Sequence, residues 1–153
     1  MLVNPETIRI KWRWTHMIAK NVSEVEGARI KEITYKGRVS EVKGVTIRWL
    51  SKVGKDAKGQ PEYGLRHFTV APGGEIPGHS HFYLQTMYIE SGAFECFAYD
   101  PDTDEPVVSK VCKAGDWVYT AAYEPHGMRN VSDTEPGTFL CCICNVYGNE
   151  DVV

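Results

Sequence analysis

The chain of 153 residues lacks any long hydrophobic run; its longest wholly apolar stretch is Phe139-Leu140-Cys141-Cys142-Ile143-Cys144, far too short to span a bilayer. The opening segment MLVNPETIRIKWRW lacks the apolar stretch and small-residue cleavage site of a signal peptide. Charge of one sign is also missing. The net charge of -3 gives no electrostatic case for nucleic acid. Cysteine is present only five times, an odd number without the spacing of a disulfide framework, so free thiols in a reducing cytoplasm are expected. No internal repeat or low-complexity segment is visible, and the length suits one domain with a sizeable core.

Strand signals fill much of the remainder. Ile8, Ile10, Trp12 and Trp14 alternate with Arg9, Lys11 and Arg13, and Val45 to Trp49 alternates in the same way, the period-two pattern of a strand with one buried face. Further strands are expected at Leu65 to Ala71, Thr86 to Glu90, Phe94 to Tyr99, Val107 to Cys112, Trp117 to Thr120 and Phe139 to Tyr147. Turn chemistry separates them, as in Ala71-Pro72-Gly73-Gly74, Ser91-Gly92 and Ala114-Gly115-Asp116. Many short strands at this spacing argue for an antiparallel sandwich or barrel. Ser51 to Tyr63, rich in Lys, Gly and Asp, reads as an exposed loop, with a lid over a barrel mouth as the sharper alternative.

Residues 1–16 form a separate expectation. They read as an N-terminal arm or extra strand ahead of a domain at 17–153, or as a start-site artefact, with Met17 as the alternative start. A strand with two tryptophans exposes edges and apolar surface unless something covers it. Addition of this arm to a neighbouring subunit would make a homodimer; packing on its own subunit is the alternative.

The residues that carry chemistry are His79, His81, Gln85 and His126. Imidazoles at i and i+2 on an extended strand point the same way, and Gln85 keeps their parity. His126 has to approach from another strand, which a closed barrel provides. Each histidine alone is more simply a core or surface residue. Three together exceed what packing needs, and imidazole is a good ligand for divalent transition metals.

The spacing resembles the cupin superfamily. Its first motif is met by Gly73, His79, His81, Gln85 and Gly92, and its second by Gly115, His126 and Asn130. Ala121 stands where the family has Pro, and Tyr123 where it has Gly, which puts the local turn geometry in question. The resemblance implies a single-domain all-β double-stranded β-helix (jelly-roll) barrel binding one divalent transition metal ion, Zn, Fe, Ni or Mn. Gln85 departs from the family's usual Glu: a neutral amide leaves the metal its full charge and makes it a stronger Lewis acid. Ligation by Gln85 and a hydrogen-bonding role behind the ligands both stay open. Cupins with a three-His-plus-Gln centre include uronate-linearising enzymes and polyketide cyclases. The implied function is Lewis-acid chemistry on a small oxygenated substrate, of isomerase, cyclase or lyase type. Alternatives are a non-haem iron dioxygenase on the same histidines and a metal-dependent small-molecule-binding protein that is not an enzyme. The expected partners are a small molecule and a second copy of the chain, with no nucleic acid and no membrane.

Other residues carry less. Met87, Ile89 and Met128 share faces with the site residues and are expected to fill the barrel. Tyr83, Tyr88, Tyr119 and Tyr123 are candidate proton donors, none singled out. Arg66 and Arg129 could hold a substrate carboxylate, with a surface ion pair as the default for each. His67 and His16 are left outside the metal shell. The Cys141-Cys142-Ile143-Cys144 run reads as strand cysteines, with Cys142 or Cys144 able to approach the cavity, and Cys96 and Cys112 stand alone.

Overall fold

The computed structural model describes residues 17–54 and 61–145. The expected arm at 1–16, with Ile8 to Trp14 and His16, lies outside the described residues, as does the centre of the 51–63 loop. After a 3-10 turn at Val22–Glu24 come nine strands: β1 (Ala28–Tyr35), β2 (Arg38–Val53), β3 (Tyr63–His79), β4 (Leu84–Ser91), β5 (Ala93–Tyr99), β6 (Pro106–Lys113), β7 (Trp117–Thr120), β8 (His126–Asn130) and β9 (Gly137–Cys144). The fold is all-β and its pairing is antiparallel throughout, in the order β6-β5-β8-β3-β9-β4-β7, with β1 joined through β2 to β3. This is a nearly closed jelly-roll barrel. Among the described residues no helix is long and apolar enough to cross a membrane.

The long strand β3 positions the site. Its first half, Tyr63 to Val70, pairs β9, and its second half, from Glu75 to His79, pairs β8. The register against β2 breaks between Val45↔Val70 and Lys43↔Glu75. Ala71-Pro72-Gly73-Gly74, expected to be a turn, is therefore a bulge inside one strand. Gly73 sits there at φ +63, a conformation glycine takes without the Cβ penalty. The bulge lets one strand serve both halves of the barrel.

The core follows the pleat. In β9, Gly137, Phe139, Cys141 and Ile143 are buried while the residues between them are only partly covered. In β4, Gln85, Met87 and Ile89 point inward. Phe139 stacks on Phe68 at 4.7 Å between centroids and meets Phe94 edge-on at 5.5 Å, both favoured aromatic geometries. A Cβ on Gly137 would lie 2.5 Å from the Phe94 ring, so only glycine lets that ring close the barrel.

Two sequence expectations need correction. Ser51–Val53 continue β2 and Tyr63 opens β3, so both ends of the expected loop are strand. Strand β1 was not expected, because Ile30 and Ile33 are three apart. A register shift between Ile30 and Glu32 breaks the alternation, and both isoleucines line the barrel cavity.

Candidate metal centre

His79 ends β3 and His126 begins β8, and the two are register partners. His81 follows two residues later, in the connection between β3 and β4. His79, His81 and Gln85 therefore do not share one strand, as expected from parity: the chain turns after His79, and Gln85 arrives on β4. They converge all the same. The ligand atoms of His79, His81 and His126 all lie within 4.8 Å of one another. Centroid separations are 4.6 Å for His79–His81, 4.5 Å for His79–His126 and 5.5 Å for His81–His126.

Backbone carbonyls set the ring orientations. His79 Nδ1–H donates to the Pro77 oxygen at 2.8 Å, and His126 Nδ1–H donates to the Glu124 oxygen at 2.8 Å. A carbonyl can only accept, so in the neutral rings each Nε2 carries a lone pair aimed into the cluster. His79 Nε2 lies 3.1 Å from His81 Nε2, a distance that calls for a proton or a cation between them. His81 is held from behind by Tyr83, whose ring stacks on it at 4.5 Å. The backbone of His81 accepts from Tyr123 N–H at 2.6 Å. Tyr123 adopts φ +66, so a tyrosine takes the left-handed turn that the resemblance assigns to glycine. The substitution in the second motif keeps the turn and carries its strain.

Burial keeps these rings neutral. It is the main cause lowering His79 to about 4 and His81 to about 2, with repulsion from neighbouring rings and from Arg66 adding to it. His126 is lowered by the same burial. A neutral imidazole with a free Nε2 is the form a divalent ion requires. The three histidines fit a metal by donor type and convergence, and His79 and His126 fit it by tautomer as well.

Gln85 is buried beside them. Its Nε2 donates to His126 Nε2 at 2.6 Å, and its Oε1 accepts from an Arg66 guanidinium nitrogen at 3.2 Å and from the Cys141 thiol at 3.5 Å. Arg66 also donates to Cys141 Sγ at 2.8 Å. The expected surface ion pair is thus wrong for Arg66, which is only 7 % exposed and faces the interior. It holds for Arg129, which pairs Glu95 at 2.5 Å on the outside of β8 and β5.

The cluster opens into a cavity of about 490 Å³ with a mostly apolar wall that includes Ile47, Phe68, Met87, Val118 and Met128. Of the cysteines, Cys96, Cys112 and Cys141 line it, whereas Cys142 and Cys144 belong to the opposite face of β9. The Cys96 and Cys112 thiols point to the carbonyls of Phe94 and Lys110, and burial, with Cys112 nearby, pushes Cys96 up to about 12. All five cysteines are free. Tyr83 is the buried tyrosine; Tyr88 and Tyr123 are exposed, and Tyr119 lines the mouth. His67 leaves the cavity and pairs Glu90 at 3.0 Å. The sequence does not single out Cys141, because CCIC offers two parities and only pairing with β3 and β4 selects one.

Known proteins agree with this architecture. The family described as Cupin domain matches residues 66–143. No curated protein sequence matches the chain. Among solved structures, the polyketide cyclase RemF from Streptomyces resistomycificus superposes with a TM-score of 0.59 at 22% identity, over 89% of each chain. A predicted oxalate decarboxylase from Thermotoga maritima gives 0.61 at 23% identity, over 84% of this chain and 100% of that one. A cupin-2 domain from Rhodospirillum rubrum gives 0.60 at 18% identity, over 88% and 78%. With the family match running from Arg66 on β3 to Ile143 on β9, and so across all three histidines, the chain belongs to the cupin family.

Proposed function

We propose that this cupin is an enzyme that binds one divalent transition metal ion through His79, His81 and His126 and acts on a small oxygenated molecule in the barrel cavity. The observation that carries the reading is the pair of Nδ1–H bonds to Pro77 and Glu124, which turn the Nε2 lone pairs of two buried rings toward the third. When bound, the metal would supply Lewis-acid polarisation of a substrate carbonyl or enolate oxygen.

The chain's own groups do the rest. Gln85 brings no charge, so none of the four side chains offsets the positive charge at the site. Its amide links Arg66 to His126 and fixes the position of that ring. Burial raises Tyr83 above the ordinary tyrosine range, so its hydroxyl stays protonated and can donate. The apolar wall excludes water from the substrate. This set suits isomerisation, cyclisation or lyase chemistry. The names of two similar structures, a polyketide cyclase and a predicted oxalate decarboxylase, point to substrates that are themselves oxygenated carbonyl compounds.

The test is metal content by elemental analysis of the purified protein and of His81→Ala, with oxygen uptake and turnover across a carbonyl and sugar-acid panel. Stoichiometric metal that is lost in His81→Ala, with turnover and no oxygen uptake, is expected. Full retention of metal by the variant would sink the site. Oxygen uptake with bound iron would replace this reading by the dioxygenase, and no turnover on any substrate would replace it by a binding protein.

A further inference from the structure

Arg66 is a cation in the wrong place for a structural role. It projects from near the start of β3 into the barrel, 7 % exposed, and lines the cavity together with the histidines and Gln85. A buried guanidinium is stable when a carboxylate neutralises it. Among the described residues none does so: the partners of Arg66 are the Gln85 amide oxygen, the Cys141 sulfur and aromatic faces, with its carbon centre 5.3 Å from the Phe68 ring, 5.6 Å from Trp49 and 6.0 Å from Tyr83. Its Nε is buried without a hydrogen-bond partner. The carboxylate among the lining residues, Glu124, is turned back to the Ala121 N–H at the rim.

The position of Gln85 sharpens this. Its amide oxygen lies 3.2 Å from the guanidinium, where a glutamate would have made an ion pair. Glutamine at 85 leaves Arg66 with hydrogen bonding and no counter-charge. Three neutral imidazoles supply none either. The interior therefore carries an uncompensated positive charge at one end of an apolar chamber.

We propose that Arg66 is the anion-recognition residue of this cavity, and that the ligand is a carboxylate with an otherwise apolar body. The guanidinium completes its hydrogen bonding with the carboxylate in the planar geometry that the pair favours. The apolar walls take the rest of the molecule. This deepens the proposed function by naming the charge of the substrate, and it relies on that reading only for the cavity being the substrate site.

Benzoate and benzamide are matched in shape and differ in charge. Their binding to the full chain is measured by calorimetry, with the protein as purified and again after chelation. Benzoate is expected to bind about tenfold or more tightly than benzamide in both forms, the size of a charge-assisted bidentate contact. Arg66→Met abolishes the preference and Arg66→Lys keeps part of it. Gln85→Glu leaves Arg66 in place but gives it a carboxylate, so it too abolishes the preference, and it serves if Arg66→Met does not fold. Equal binding of the two probes, no binding of either, or a preference that survives both variants overturns the proposal. A preference seen only before chelation also overturns it, since the anion would then sit on the metal. Metal retention by His81→Ala would instead sink the metal reading and leave the benzoate preference untouched.

Discussion

Arg66 and Arg129 stand on neighbouring strands that share the barrel wall, yet they live in different solvents. Arg129 is on the outer face, where Glu95 meets it at 2.5 Å and water screens both. Arg66 is inside, on the same end as three neutral histidines, with an amide in place of a carboxylate. Outside, charge is plentiful, paired and of small energetic weight. Inside, the buried Arg66 guanidinium and three desolvated imidazoles hold chemistry that the apolar core has to support.

The comparison breaks first if the apolar core is removed. Phe139 contacts both Phe68 and Phe94 and is 1 % exposed. Phe139→Ala is expected to cost about 3–5 kcal/mol in chemical denaturation, the range for a buried aromatic truncated to alanine. A loss below about 1 kcal/mol would show that the core relaxes around the gap and that the polar end does not depend on it.

Acid tests the interior next. His79 is held at about 4 in the fold against an ordinary 6.5, so the unfolded chain binds more protons between those values. Stability of the chelated protein is full above about pH 6.5 and falls as pH drops toward 4, by on the order of 3 kcal/mol from His79 alone. Urea midpoints between pH 7.5 and 4 read this directly; a flat profile would mean the rings are protonated in the fold at no cost.

A smaller effect sits at the turn that holds His81. Tyr123→Gly relieves the strain of φ +66 and is expected to stabilise by about 1 kcal/mol, less the extra backbone entropy of glycine. A loss of stability in thermal melts would show that the exposed tyrosine side chain contributes more than its backbone costs. Smallest of all is Arg129→Ala. Its exposed pair should move the melting temperature by at most ~2 °C, and a larger drop would put the outer face on the same footing as the interior.

Much of the barrel was legible as sequence. The alternation of Phe139, Cys141 and Ile143 with partly covered residues is a pleat written in residue types, and Trp117 to Thr120 was bounded by its turns. Strand β1 was hidden because a bulge breaks the period on which the reading depends. The motif spacing brought His79, His81, Gln85 and His126 together even though the parity argument for one shared strand failed. Spacing survives a bend that parity does not.

The sequence by itself determined an all-β chain with three histidines and a glutamine at the intervals of a cupin, because turn residues and side-chain period act locally. Tertiary structure alone decided which arginine lies inside, which cysteines face the cavity and which nitrogen of His79 and His126 is turned away from the backbone. Those outcomes rest on strand register: Arg66 opposite Cys141, His79 opposite His126, and carbonyls of Pro77 and Glu124 placed to fix the rings. A one-residue slip would put each of these side chains on the other face, and no local pattern in the chain records that choice.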